Sequence, residues 1–192
     1  METGIRFTGF GGQGVILMGI VLARAAALYD RPVGSDGKVL RKSAIQTQSY
    51  GPSARGGHSK CDVKISTQDM HYPFVEIPDY LVVLSQQAYE KYIHEVKPET
   101  KVILDPDLVM AKPSGHVYLV RSTKEAEGLG TRVVSNVVML GAFREISDIV
   151  SYAALEKAML ESVPKATHDL NKSALALGKR LGQAAIQSHG KD

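Results

Sequence analysis

A single cysteine, Cys61, stands in 192 residues. It excludes an internal disulfide and every cysteine-based iron–sulfur or zinc-finger pattern, so any such cluster must sit on another chain. Apolar stretches are broken by Gly, Arg, Asp or Asn well short of a membrane span, and no basic region with a cleavable apolar core opens the chain. The expectation is a cytoplasmic protein without a membrane span. A formal charge of +3 and the absence of any long Lys/Arg tract argue against nucleic acid as a partner. The histidines (His58, His71, His94, His116, His168, His189) are dispersed and none pairs at zinc-motif spacing, so no metal site is expected. Neither a G-x-S-x-G elbow nor a G-x-x-x-x-G-K-[ST] phosphate loop is present, and no residue is assigned a bond-breaking, catalytic role.

What remains reads as one ordinary domain over residues 1–192, 44% hydrophobic and 22% charged. Strand-like and helix-like patterns alternate, which predicts an α/β fold of three layers. A mostly parallel sheet carries helices on both faces, with a glycine-rich turn after the first strand. That strand is read at Ile5–Thr8, the turn at Gly9–Gly14 and the first helix from Gly14 to Tyr29. A polar stretch from Asp30 to Lys42 reads as an exposed loop, and Ala44–Gln48 as a short strand. In Lys60–Ile65 apolar and polar residues alternate, placing Cys61 on a core face. Further strands are expected at Tyr80–Leu84, Val102–Leu104 and Val117–Val120. Ser85 is read as the cap of a helix reaching Val96, and Ser122 opens another through Leu129. The last third reads as helices at Asn136–Ile146, Tyr152–Val163 and Leu170–Ile186, the first two expected on the sheet and the third closing the core or binding a partner.

Two segments carry the chemistry. Glycines at the strand-to-helix turn let a ligand approach the backbone, and the following helix offers unpaired N–H groups and its positive dipole end. Gln46 to Gly57 gathers amide, hydroxyl, glycine and arginine groups without a hydrophobic run, which reads as a binding loop. From Arg31 to Lys60 six bases (Arg31, Lys38, Arg41, Lys42, Arg55, Lys60) face the single acid Asp36, so an anionic partner is inferred. Gly9, Gly11 and Gly14 satisfy the dinucleotide fingerprint G-x-G-x-x-G, but the acid expected about 20 residues further on, at the end of the second strand, is missing.

Gly9-Phe10-Gly11-Gly12-Gln13-Gly14-Val15, the block Gln46 to Pro52 with Ala54-Arg55-Gly56-Gly57, and Leu84-Ser85-Gln86 with Ala88-Tyr89 resemble the gamma subunit of 2-oxoacid:ferredoxin oxidoreductases, the 2-oxoglutarate enzyme above all. The likeness extends through Asn136–Ala142 and to Asn171, Ala174 and Gly178. It departs at Arg31 to Lys42, a basic stretch longer than the family pattern. The resemblance implies one subunit of an enzyme that converts a 2-oxoacid and coenzyme A to acyl-CoA, carbon dioxide and reduced ferredoxin. For 2-oxoglutarate the product is succinyl-CoA. A pyruvate or branched-chain enzyme is the alternative within the family, and a free-standing dinucleotide-binding oxidoreductase or regulator the alternative outside it.

Thiamine diphosphate, Mg2+ and [4Fe-4S] clusters are then expected on the alpha and beta subunits and a cluster-bearing subunit or domain, with ferredoxin as electron acceptor. This chain alone is expected to hold none of them and to be inactive. Gly11, Gly12, Gln13 and Gly14, with Gln48, Ser49, Tyr50, Gly51, Arg55, Gly56 and Gly57, are expected together at the carboxyl ends of adjacent strands. There they touch coenzyme A phosphates, through Arg55 with Lys60 or Arg41, or they form a subunit interface only. Both readings stand on the sequence.

Overall fold

The structure is a computed structural model and describes residues 2–33, 37, 39–50, 58–111 and 116–189. Six strands form one sheet: β1 (Glu2–Phe10), β2 (Ser43–Tyr50), β3 (His58–Ser66), β4 (Tyr80–Val83), β5 (Lys101–Leu104) and β6 (Val117–Leu119). Their order across the sheet is β2-β3-β1-β4-β5-β6. The β1–β4, β4–β5 and β5–β6 pairings are parallel, while β3 runs antiparallel to both β1 and β2. Only β3 opposes the common strand direction, so the sheet is mostly parallel, as expected, with one antiparallel strand that makes it mixed. The physical reason is connectivity: β2 and β3 are joined by a short segment, which suits an antiparallel hairpin, whereas parallel neighbours need a crossover.

Helices cover both faces. They are α1 (Val15–Arg24, prolonged by a π turn, Ala25–Tyr29), α2 (Gln86–Tyr92), α3 (Ser122–Gly128), α4 (Ser135–Ser147), α5 (Tyr152–Leu160) and α6 (His168–His189). Alternation along the strands decides which side chain meets which layer. Ile5 and Phe7 of β1, Cys61, Val63 and Ile65 of β3, Val82 of β4 and Ile103 of β5 pack under α1 and α4, with Phe7 and Phe143 edge to face at 5.3 Å. Leu81, Val83, Val102 and Leu104 point the other way, under Ala88, Tyr89 and Tyr92 of α2. Burial on both faces explains why β4 reads as an unbroken apolar run.

Ser85 caps α2, its hydroxyl accepting from the Ala88 N–H at 3.3 Å. α6 packs along α4 and closes the core. α5 lies chiefly against α1 and its π turn, so it covers a helix and not the sheet as expected. The expected loop from Asp30 to Lys42 contains a buried anchor. The Asp30 carboxylate accepts from Lys42 Nζ at 2.6 Å and from the Ser151 N–H at 2.9 Å. Burial opposes its ionisation, but these two donors prevail and hold it below the usual carboxylate range.

Cys61 is fully buried, as its place in the alternating strand predicts, and its Sγ lies 3.1 Å from Gln46 Nε2. Desolvation pushes the thiol up to about 11, leaving almost no thiolate at neutral pH. Native protein is therefore expected to react with an exposed-thiol reagent such as dithionitrobenzoate only after unfolding. Stoichiometric labelling within minutes under native conditions would contradict this.

Candidate functional site at the carboxyl edge of the sheet

The polypeptide leaves β1 for α1 on one face of the sheet and leaves β4 for α2 on the other. Between the carboxyl ends of β1 and β4 the chain therefore opens a crevice, the place where open α/β sheets bind ligands. The glycine run sits at its mouth. Gly12 and Gly14 adopt φ of 95° and 72°, a region that side chains rarely enter, and so turn the chain sharply into α1. Gln13 holds the turn in shape: its Oε1 accepts from the Phe10 N–H at 2.6 Å and its Nε2 donates to the Leu84 carbonyl at 2.7 Å. Its amide thus clips the ends of β1 and β4 together and is engaged at both ends.

Gly14 is the N-cap of α1 and supplies no side-chain cap. Among the described residues, the N–H groups of Gly11, Gly12, Gly14, Val15 and Ile16 meet no carbonyl or side-chain acceptor. This leaves a concave row of donors facing the crevice. Beneath Gly14 lies Asn136, from the start of α4. Its amide nitrogen falls 2.1 Å from where a Cβ on Gly14 would stand, so only glycine fits there.

Gln48 ends the expected short strand, but Ser49 and Tyr50, expected in the loop after it, also belong to β2 and are its last residues. Pairing with an adjacent strand satisfies their backbone groups, which outweighs the low β-propensity of the block. β2 runs in the direction of β1, so they reach the same sheet edge as the glycine turn. The two are not on adjacent strands, because β3 lies between them. Gln48 stands opposite Cys61 on the face of α1, and Ser49 opposite Lys60 on the other face. Gly51, Arg55, Gly56 and Gly57 lie outside the described residues. The strand that receives the chain after them begins at His58, opposite Phe10. The His58 Nδ1 is enclosed and has no hydrogen-bond partner among the described residues, a feature no sequence pattern announced.

The other bases divide. Lys60 pairs with Asp62 at 3.1 Å. Arg31 donates to the carbonyls of Asp30 and Ala27 and so closes the π turn. Lys42 belongs to Asp30. Arg41 precedes β2 and lies at the far edge of the sheet, about 25 Å of extended strand from Tyr50. The basic stretch is in good part a device for fixing the end of α1, through Arg31 and Lys42. The parallel β2 neighbour of a dinucleotide fold is also absent, since antiparallel β3 occupies that position beside β1. Among the described residues no group of three or more His, Cys, Asp or Glu side chains is placed to hold a metal ion, and no helix is long and apolar enough to cross a membrane.

Residues 4–181 match the family model for pyruvate ferredoxin/flavodoxin oxidoreductase. The chain is 46% identical over 188 residues to 2-oxoglutarate synthase subunit KorC of Methanocaldococcus jannaschii, covering 95% of each sequence. The crystal structure of the keto/oxoacid ferredoxin oxidoreductase gamma subunit from Geobacter sulfurreducens superposes with a TM-score of 0.81 at 38% identity, covering 96% of this chain and 98% of that one. A 2-oxoglutarate:ferredoxin oxidoreductase from Magnetococcus marinus, with 2-oxoglutarate, coenzyme A and succinyl-CoA bound, shares the fold at a TM-score of 0.79 and 21% identity. The likeness covers 95% of this chain and 31% of that one.

Proposed function

Because the chain belongs to the pyruvate ferredoxin/flavodoxin oxidoreductase family and is a gamma-type subunit of a 2-oxoacid:ferredoxin oxidoreductase, we propose that it serves the 2-oxoglutarate enzyme and contacts coenzyme A at the carboxyl edge of its sheet. The reaction is oxidative decarboxylation of 2-oxoglutarate to succinyl-CoA and carbon dioxide, with electrons passed to ferredoxin. Thiamine diphosphate, Mg2+ and [4Fe-4S] clusters belong to its alpha, beta and cluster-bearing partners in the cytoplasm. The chain's own contribution is positioning. The observation that carries this reading is the row of unpaired backbone N–H groups at the glycine turn, on the edge where the Gln48–Gly57 segment leaves and re-enters the sheet. Such donors favour an anionic ligand, and Arg55 adds a charge suited to phosphate.

The other reading keeps the same residues as a subunit interface. An apolar arm at the far end of the molecule favours an interface there: Val33 and Val39 bridge each other while remaining 65% and 58% exposed, an arrangement suited to burial against another chain. Two interfaces on opposite edges fit a subunit held inside a larger assembly.

The first experiment is gentle purification of the tagged chain with its partners, followed by coenzyme A-dependent reduction of a low-potential dye with 2-oxoglutarate, pyruvate and branched 2-oxoacids. Selective activity with 2-oxoglutarate is expected. In that complex Arg55→Ala should raise the KM for coenzyme A about tenfold with kcat little changed. Unchanged kinetics would leave the interface reading.

A further inference from the structure

Exposed apolar side chains gather at the amino edge of the sheet, opposite the glycine turn. Tyr72, Phe74 and Ile77 stand on the segment that joins β3 to β4, and each is half exposed. The rings of Tyr72 and Phe74 meet edge to face at 5.5 Å. Large apolar side chains left in water side by side mark a contact surface. The segment beneath them is pinned, so their exposure is not slackness. Lys64 Nζ donates to the Tyr72 carbonyl at 2.9 Å, Arg6 Nη2 to the Val75 carbonyl at 2.6 Å, and the Gly4 N–H to the Asp79 carboxylate at 2.7 Å. Anchors fixed in advance lose little entropy on docking. A hollow of about 340 Å3 opens beside them. Glu2 and Lys64 in its wall pair with each other at 3.0 Å and Asp79 is taken by Gly4, which leaves one acid, Glu76, and one base, Lys97. An apolar centre with so little net charge suits another protein and not an ionic ligand.

Both ends of the fold come to this edge. β1 begins there at Glu2, in the wall of the hollow, and α6 ends with His189 stacked on Tyr118 of β6 at 4.3 Å and 6.3 Å from His116. The Val33–Val39 arm, which precedes β2, lies along the same edge. In the longer Magnetococcus marinus chain this fold accounts for 31% of the length. A polypeptide that continues past either end of the fold emerges at the amino edge, so the rest of such a chain is tethered within reach of Tyr72 and Phe74. We propose that the amino edge, centred on Tyr72, Phe74 and Ile77, is the docking face for a separate partner subunit, the one that corresponds to the rest of that longer polypeptide. A partner seated there leaves the carboxyl edge and its glycine turn open.

The proposal rests on the reading of this chain as one subunit of a larger oxidoreductase, and the test separates the two. With a tag on that partner subunit, the wild-type chain is expected in equal amount. About 1 M NaCl should leave its recovery unchanged, because an apolar contact is not screened by salt. The double variant Phe74→Asp, Ile77→Asp should lower recovery about tenfold or more. The melting temperature of the variant chain should stay within about 2 °C, since both positions face solvent in the free chain. In the assembled complex, Phe74→benzoylphenylalanine keeps an aromatic ring and should form a photo-adduct with the tagged subunit, a readout that holds whatever the stability of the double variant. Undiminished recovery of the double variant, loss of the wild-type chain at high salt, or an adduct only with a second copy of this chain would overturn the docking face while leaving the subunit reading. Failure of the wild-type chain to co-purify with any partner at low salt would bring down both.

Discussion

Gly178→Ala is expected to lower the stability of the chain by about 3 kcal/mol, the upper end of the usual cost of overpacking. For a domain of this size that is a fall in melting temperature of about 6–12 °C. α4 and α6 cross with their backbones in contact, and a methyl group on Gly178 would stand 2.0 Å from the Val138 carbonyl oxygen and 3.0 Å from the Gly141 Cα. Neither neighbour is the end of a flexible side chain, so one helix must move away from the other. The resulting gap would loosen the packing of Val138, Leu140 and Leu175, all within the main core. Gly128→Ala is the matched control. A Cβ there meets nothing within 4 Å, and the site is the last residue of α3. Thermal unfolding of the two variants should differ by most of the predicted shift, and equal melting temperatures would mean that the α4–α6 contact yields at little cost.

Arg6→Ala is expected to cost a similar amount, about 3 kcal/mol, by stranding a buried carboxylate. Arg6 is 2% exposed and Asp62 4%. The guanidinium donates to Asp62 through Nε at 2.9 Å and Nη2 at 3.1 Å, to the Val75 carbonyl at 2.6 Å, and to Glu95, and it lies over the Tyr92 ring. Burial works against its charge, but Asp62 and Glu95 outweigh burial and hold the group fully protonated. One side chain thereby joins β1 and β3 to Val75, in the segment after β3, and to the end of α2. Lys60 remains to neutralise Asp62 in part, which keeps the expected loss at the lower end of the range for a broken buried pair. Urea unfolding should show a midpoint lower by about 1 M or more. The double variant Arg6→Met, Asp62→Leu should recover much of the loss, because it removes both charges together. Arg132→Ala, whose partner Glu127 is 49% exposed on its side chain, should change stability by less than about 0.5 kcal/mol. A small effect at Arg6 would mean that water reaches Asp62 once the guanidinium is gone.

Arg6 and Gly178 also mark where sequence reading stops. Nothing near Arg6 in the chain distinguishes it from a surface base, because its acid partners lie 56 and 89 residues away. Gly178 sits in an amphipathic helix, and only the crossing of α4 explains it. The local elements were otherwise legible. The apolar run of β4, the Ser85 cap, the alternation around Cys61 and the glycine turn each depend on neighbours within a few residues, where steric and hydrogen-bond rules act directly. Ser49 and Tyr50 misled for the complementary reason. Their composition is that of a loop, while pairing with β3 holds them in a strand.

The candidate site divides along the same line. The sequence by itself determined the strand–glycine–helix cradle, the lack of cysteine ligands and the family, because glycine conformations and residue chemistry are local properties. Only the tertiary structure decided that β3 stands between the glycine turn and the end of β2, that Arg41 lies at the start of β2, away from the glycine turn, and that Lys42 and Lys60 are occupied by Asp30 and Asp62. It also brought Asn136 beneath Gly14, across 122 residues of chain. Which charges remain free for a ligand depends on the partners that folding supplies, and strand order and burial set those partners.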